Sequence, residues 1–328
     1  MWSHYENVTF MGCKDMEKIN KKELLIFFMI AFGIPFLIES IIFLRREPVW
    51  EAQQLVIGML PAMGAIAAQE YKGNGRGKSN KLYIIVFLYF VIGIVCFALN
   101  ISGALQNTDV LTPILGIASV VSFLYAWMCC PDLDPFRNLN KAILPILLLI
   151  IIMILYQIIL YGPAFNYRLL FGILIYQGPV FFFQNLAYFG EEYGWRGFLQ
   201  GRMQIRFGKR LGVIMVGIIW ELWHSLFYYS ILYSVPKNEL FLFIIVRLVH
   251  TMGFAVFLGW AYMRTNNIWV CILLHFINNT LMILPTAEYV YSPIPSNIIS
   301  ILMSIVLFLF IFTKEYRTKE AVKNSIKF

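Results

Sequence analysis

Hydrophobic residues run along this chain in long blocks that short polar segments separate. Most blocks have the length, about 18–23 residues, at which a helix crosses about 30 Å of hydrocarbon. Backbone groups find no water in lipid and must pair within their own segment, so blocks this apolar are expected to be helices. The pattern predicts ten spans, at about 23–44, 52–70, 82–104, 109–130, 142–162, 168–200, 211–233, 240–262, 267–284 and 296–313.

Two of these spans are irregular. The block at 52–70 is short, is interrupted by Gly and Pro and is polar at both ends, so it can also be a re-entrant or surface helix. The block at 168–200 is longer than a straight crossing needs. A kink, a tilt or a helix end inside the protein is expected there.

Composition agrees with the pattern. Of the 328 residues, 60% are hydrophobic and only 13% are charged, against about 45–50% and about 25% in soluble domains. We predict an all-α, polytopic membrane protein of about eight to ten transmembrane helices, in a single membrane domain over 1–328.

The net charge of +8 does not indicate a nucleic-acid partner, because the basic residues follow the predicted topology. Most of the 26 Lys and Arg residues lie at the termini and in the loops on one side. The opposite side carries only Arg45, Arg46, Arg168 and Lys237. Because cytoplasmic loops are enriched in Lys and Arg, both termini are predicted to be cytoplasmic. The expected partners are membrane lipid and no nucleic acid; the oligomeric state is not indicated.

Polar and ionisable residues inside the predicted membrane spans are costly and mark candidate functional sites. They are concentrated in the second half of the chain: Glu191, Glu192, Arg196, Glu221, His224, Arg247, His250, His275, Asn278 and Asn279. Glu192 and Arg196 are four residues apart, as are His275 and Asn279, so each pair shares one helix face.

Three of these helices carry polar residues at similar depth in the membrane. At 1.5 Å per residue, Glu191 lies roughly 16 Å, His224 roughly 21 Å and His275 roughly 16 Å from the nearest basic residue on the cytoplasmic side. Side chains at similar depth on three helices can meet in one cavity that opens toward the cytoplasm.

A structural interpretation applies to the other polar residues. A single intramembrane His is more often a hydrogen-bond partner between helices than a catalyst. We assign Arg247 and His250 to this class, with Arg247 pairing with Glu221 or extending to the interface. Trp220 is interpreted as a packing or interfacial residue.

Three short stretches resemble the CAAX protease and bacteriocin-processing family of intramembrane glutamic endopeptidases. EEYGWRGFLQGR, beginning at Glu191, looks like the family's Glu-Glu-x-x-x-Arg motif. WELWH, ending at His224, matches its aromatic-x-x-x-His motif, with Trp220 where Phe is usual, and HFINN, from His275 to Asn279, matches its His-x-x-x-Asn motif. The resemblance covers about 180–285, within a catalytic core predicted at 168–284. The helices within 1–140 match only in being hydrophobic.

The resemblance implies a metal-independent hydrolysis without a cofactor. Glu191 would act as general base on water with the help of His224. His275 and Asn279 would form the oxyanion hole, and Arg196 with Glu192 would orient the carboxylate pair. The implied substrate is a membrane-associated protein or peptide, with or without a prenyl group.

Two alternatives stay open at this stage. Glu191, His224 and His275 can in principle ligate Zn²⁺, which would make the protein a zinc-dependent intramembrane protease. A non-proteolytic role in bacteriocin self-immunity, binding or transport is also compatible with intramembrane charges, although no internal repeat of the inverted-repeat transporters is visible.

Overall fold

The computed structural model describes residues 20–45, 50–72, 80–104, 111–225, 237–282 and 295–317. All regular secondary structure in these ranges is helical. The α-helices are α1 (Lys21–Phe28), α2 (Ile34–Arg45), α3 (Trp50–Ile57), α4 (Leu60–Tyr71), α5 (Asn80–Ile101), α6 (Thr112–Cys129), α7 (Leu139–Tyr161), α8 (Tyr167–Glu192), α9 (Gly201–Phe207), α10 (Lys209–Ser225), α11 (Leu240–Thr265), α12 (Ile268–Met282), α13 (Ser296–Phe308) and α14 (Lys314–Arg317). Two π-helical segments, Met29–Gly33 and Tyr193–Gln200, join α1 to α2 and α8 to α9.

Many of these helices are suited to a membrane. Six helices in the described ranges are long and apolar enough to cross one: Lys21–Leu44, Lys81–Ile101, Thr112–Cys129, Leu139–Ala164, Tyr167–Phe207 and Leu240–Thr265. Ile268–Met282 and Ser296–Phe312 are shorter apolar helices. Large apolar side chains such as Phe36, Phe87 and Ile175 point outward, as expected for surfaces that contact hydrocarbon. The prediction of an all-helical, polytopic integral membrane protein is confirmed, while the orientation of its termini stays a prediction.

Some predicted spans differ from the observed helices. The segment predicted at 52–70 is interrupted at Gly58 and Met59, which separate α3 from α4. Most of α4 is buried, so it is not a surface helix. The predicted spans at 109–130, 211–233 and 267–284 extend in part beyond the described residues.

The long block predicted at 168–200 forms one continuous helical segment, Tyr167–Phe207. It contains Pro179 within α8 and changes to π-helix at Tyr193. Its first half is largely exposed, whereas the stretch from Phe189 to Leu199 is almost entirely buried. The helix does not end inside the protein, as one of the expectations had it, but changes from α to π geometry there, and the part that carries Glu191, Glu192 and Arg196 lies in the protein interior.

Two glycines allow this buried part to approach the break between α3 and α4. A Cβ atom on Gly190 would lie 2.4 Å from the carbonyl oxygen of Gly58, and one on Gly194 would lie 2.4 Å from Cβ of Pro61. Small residues at helix contacts let backbones approach closely in membrane proteins. This contact sets the position of the two adjacent glutamates along α4.

The turn between α11 and α12 fixes the helix that carries His275. Asn266 adopts a left-handed conformation with φ of 49°, which Asn tolerates better than most residues. The side chain of Asn267 caps α12 by accepting a hydrogen bond from the backbone N–H of Trp269 at 2.9 Å. Its amide nitrogen donates to the carbonyl oxygens of Pro135 and Arg137, which ties the start of α12 to the segment before α7.

We predict that Gly194→Ala lowers the free energy of unfolding by about 1–3 kcal/mol, because the new methyl group must displace the backbone at Pro61. Thermal unfolding of the purified protein in detergent measures the change. Gly172→Ala is the matched control, since no atom lies within 4 Å of its added Cβ. Equal unfolding temperatures for the two variants would contradict the close contact.

Candidate active site

A cavity of about 900 Å³ lies among the helices of the second half of the chain and the break between α3 and α4. Four of the six predicted site residues line it: Glu191, His224, His275 and Asn279. Glu192 and Arg196 do not, because both side chains are fully buried behind the cavity wall. The N-terminal helices contribute as well, through Gln54, Gly58 and Met59.

Glu191 faces the cavity and is held by a tryptophan. Its Oε2 atom accepts a hydrogen bond from Nε1 of Trp220 at 2.9 Å. The same oxygen lies 3.9 Å from Nε2 of His224, and the side chains of Glu191 and His224 are 18% and 22% exposed. A carboxylate and an imidazole thus face one another across a gap that opens into the cavity.

Glu192 has a different environment from its neighbour. Its Oε1 atom accepts a hydrogen bond from Nη1 of Arg196 at 3.1 Å and lies 2.9 Å from Nδ1 of His275. The guanidinium of Arg196 also lies 4.1 Å from the ring centroid of Trp220, within the range of a cation–π interaction. Arg196 therefore contacts Glu192 directly, and it also packs against the tryptophan that donates to Glu191.

The position of Glu192 determines which nitrogen of His275 is available to the cavity. An ionised carboxylate only accepts hydrogen bonds, so Nδ1 of His275 carries the proton and donates to it. Nε2 is then the ring nitrogen that can interact with a molecule in the cavity. The ring is further enclosed by the side chains of Tyr188, Trp220 and Phe254, at centroid distances of 5.1, 5.3 and 5.9 Å.

Asn279 lies one helical turn beyond His275 on the same cavity wall. Its Oδ1 atom accepts a hydrogen bond from Nδ2 of Asn278 at 3.2 Å, and its side chain also interacts with the hydroxyl of Tyr188. The amide NH₂ has two hydrogen atoms, so it can donate both to this hydroxyl and toward the cavity.

Sequence reasoning assigned three residues of this cavity to structural roles. Trp220, interpreted as packing, donates the hydrogen bond that holds Glu191. Arg247 pairs with Glu221 at 3.5 Å, as predicted, but it and His250 also line the cavity, although both were expected to lie outside any site. One signal could have placed Arg247: it and Thr251 are four residues apart and share the helix face that meets Glu221.

The zinc alternative requires a group of ligands that converge on one point. Within the described ranges, no group of three or more His, Cys, Asp or Glu residues is arranged to hold a metal ion. His275 instead directs Nδ1 to Glu192.

Comparison with known protein families gives a match within the second half of the chain. Residues 178–281 match the family described as type II CAAX prenyl endopeptidase Rce1-like. This segment is similar to that family. It covers about a third of the chain and includes all six predicted site residues, so the resemblance predicted from the three motifs is confirmed. No curated protein and no solved structure shows significant similarity to the chain. The Rce1-like match supports intramembrane endopeptidase activity on a protein substrate.

We predict that Arg196→Met lowers the free energy of unfolding by about 3–5 kcal/mol, because it leaves the fully buried Glu192 without its cation. The double variant Glu192→Gln/Arg196→Met removes both charges and is expected to recover part of this loss. Thermal unfolding in detergent measures both. A double variant no more stable than Arg196→Met would contradict the charge-pairing explanation.

Proposed function

We propose that this protein is a metal-independent glutamic endopeptidase that hydrolyses a peptide bond of a membrane-associated protein or peptide. The observation that carries the proposal is the unequal environment of the two adjacent glutamates. Glu191 faces the cavity opposite His224, whereas Glu192 is engaged by Arg196 and His275. Glu191 is thus available for proton transfer, while Glu192 keeps Arg196 and His275 in position.

In the proposed reaction, a water molecule lies between Glu191 and Nε2 of His224. Glu191 takes one proton as the water oxygen attacks the carbonyl carbon, and the π electrons of the carbonyl move to its oxygen. Collapse of the tetrahedral intermediate re-forms the carbonyl and breaks the C–N bond. The proton held by Glu191 passes to the leaving nitrogen as this bond breaks, which gives an amine and a carboxylic acid. Transfer of the acid's proton to the amine then leaves an ammonium group and a carboxylate.

His275 and Asn279 are the proposed donors to the oxyanion. Fixed donors aimed at a developing negative charge in a site that excludes water make large contributions to catalysis. When its Nε2 is also protonated, His275 is an imidazolium whose Nδ1 is held by Glu192. Arg196 and such an imidazolium together outweigh the single charge of Glu192, so the cluster would favour an oxyanion nearby.

A lipid-modified substrate has a candidate binding site beside the cavity. An apolar groove of about 460 Å³ lies between α6, α7, α8 and α12 and is lined by Phe181, Leu273 and Phe276 among others. Phe276 packs edge-on against Tyr188 of the cavity at 5.5 Å. We propose that this groove holds the lipid chain while the peptide enters the cavity. The catalytic core is then 168–284, with the helices within 1–140 completing the cavity wall.

We predict that Glu191→Gln lowers the rate of peptide hydrolysis by about 10²-fold or more, because an amide cannot take the proton of water. The assay uses purified protein in liposomes with plain and prenylated peptides, with and without EDTA. Wild-type activity is expected to persist in EDTA. Loss of activity in EDTA with recovery on adding Zn²⁺ would assign the same residues to a metal site. Wild-type turnover by Glu191→Gln would exclude the glutamic mechanism.

We predict that Ile146→Trp, which fills the groove, raises KM for a prenylated peptide and leaves KM for the plain peptide unchanged. Ile143→Trp is the matched control on α7, because Ile143 is exposed and does not line the groove. An equal effect of Ile146→Trp on both peptides would contradict a lipid-binding role for the groove.

A further inference from the structure

A second carboxylate lies behind His224 on the same helix. Oε2 of Glu221 is 3.8 Å from Nδ1 of His224, and Oε2 of Glu191 is 3.9 Å from Nε2 on the opposite edge of the ring. The imidazole therefore lies between two carboxylates at nearly equal distances. Glu221 is buried, and it occupies one of the positions that the aromatic-x-x-x-His motif leaves open.

Two side chains of α11 hold Glu221 in place. Arg247 places Nε at 3.5 Å from Oε1, and the hydroxyl of Thr251 donates a hydrogen bond to Oε2. Both groups bind the charged form of a carboxylate, because each presents hydrogen atoms to its oxygens. Glu221 is thus fixed as an acceptor beside His224.

We propose that Glu221 is a positioning residue that sets the tautomer of His224. A neutral imidazole carries its proton on one nitrogen, and the partner of the other nitrogen decides which. Beside an ionised Glu221, the proton of His224 lies on Nδ1. Nε2 is then left without a proton and can accept a hydrogen bond from the water that Glu191 activates. This inference rests on the proposed hydrolysis and adds a residue to it.

The distances on both sides of the ring are longer than hydrogen bonds. Catalytic hydrogen bonds are often long in a site without substrate and shorten when substrate binds. The charged and titratable groups around His224 are Glu191 on α8, Glu221 on its own helix, Arg247 and His250 on α11, and His275 on α12. Among them, Glu221 is the acceptor that lies beside Nδ1, and the backbone of Trp220, one turn earlier on the same helix, is a further hydrogen-bond partner of the imidazole.

The variant Glu221→Gln separates this role from packing. Arg247 needs an acceptor at the Oε1 position, so the amide oxygen is expected there and the amide NH₂ at the Oε2 position. The NH₂ group then donates toward Nδ1 of His224, while the hydroxyl of Thr251 can rotate to accept from it. The proton of His224 moves to Nε2, and the histidine can no longer accept from the water.

We predict that Glu221→Gln lowers kcat by about 10²-fold or more with little change in KM, because the substrate still binds but the water is no longer oriented. Glu39→Gln is the matched control. Glu39 is a buried carboxyl in α2 that hydrogen bonds to Gln53 and does not line the cavity, so its variant is expected to keep wild-type kcat.

A second measurement reports the tautomer without requiring turnover. The ¹⁵N chemical shifts of His224, assigned by comparison with His224→Gln, are expected to place the proton on Nδ1 in the wild type and on Nε2 in Glu221→Gln. If Glu221→Gln does not fold, Thr251→Val is the alternative variant. It keeps the charges of Glu221 and Arg247 and removes one hydrogen bond to Glu221. It is then expected to reduce kcat more weakly, again without a change in KM.

The outcomes distinguish the two proposals. Turnover by Glu191→Gln would overturn the proposed function. If Glu191→Gln is inactive while Glu221→Gln keeps wild-type kcat, Glu221 has no positioning role and the glutamic mechanism stands. A proton on Nε2 of His224 in the wild type would also overturn the assignment of Glu221, whatever the activity.

Discussion

The structure of the site depends on the fully buried ion pair between Glu192 and Arg196. Two charges removed from water are costly unless their geometry and further hydrogen bonds compensate, and loss of one partner leaves the other uncompensated. Here His275 provides a second contact to the carboxylate, and Trp220 covers the guanidinium. The ion pair therefore fixes a buried helix segment, a tryptophan and a histidine from three separate helices. Glu191, one residue away, is left to face the cavity.

Close packing between helices fixes the position of the Glu192–Arg196 pair inside the protein. Gly190 and Gly194 flank the two glutamates. Because both glycines lack a side chain, this part of the helix packs closely against the break between α3 and α4 and the start of α4. The helix changes to π geometry at Tyr193, one residue after Glu192. Such π segments are rare and occur frequently at functional sites. The N-terminal helices, which carry none of the three motifs, thus supply both the support for the glutamates and part of the cavity wall.

Sequence reasoning found the features that are local or that repeat with the helical period. The pairing of Glu192 with Arg196 follows from their spacing, and similar depth in the membrane brought Glu191, His224 and His275 to one cavity. The hydrogen bond from Trp220 was missed, because tryptophan in a membrane helix usually packs and its N–H direction depends on helix rotation. Gly and Pro within 52–70 indicated an interrupted helix, but the close approach of Gly58 to Gly190 joins residues more than a hundred positions apart, which no local pattern reveals.

The central claim is that adjacent carboxylates have different roles, and a paired comparison of Glu191→Gln and Glu192→Gln tests it most directly. Hydrolysis and thermal unfolding are measured on both purified variants. The account predicts that Glu191→Gln unfolds at the wild-type temperature but does not hydrolyse peptide. Glu192→Gln is predicted to unfold at a lower temperature, because Arg196 loses its counter-charge. Wild-type hydrolysis by Glu191→Gln, or equal stability of the two variants, would contradict the account.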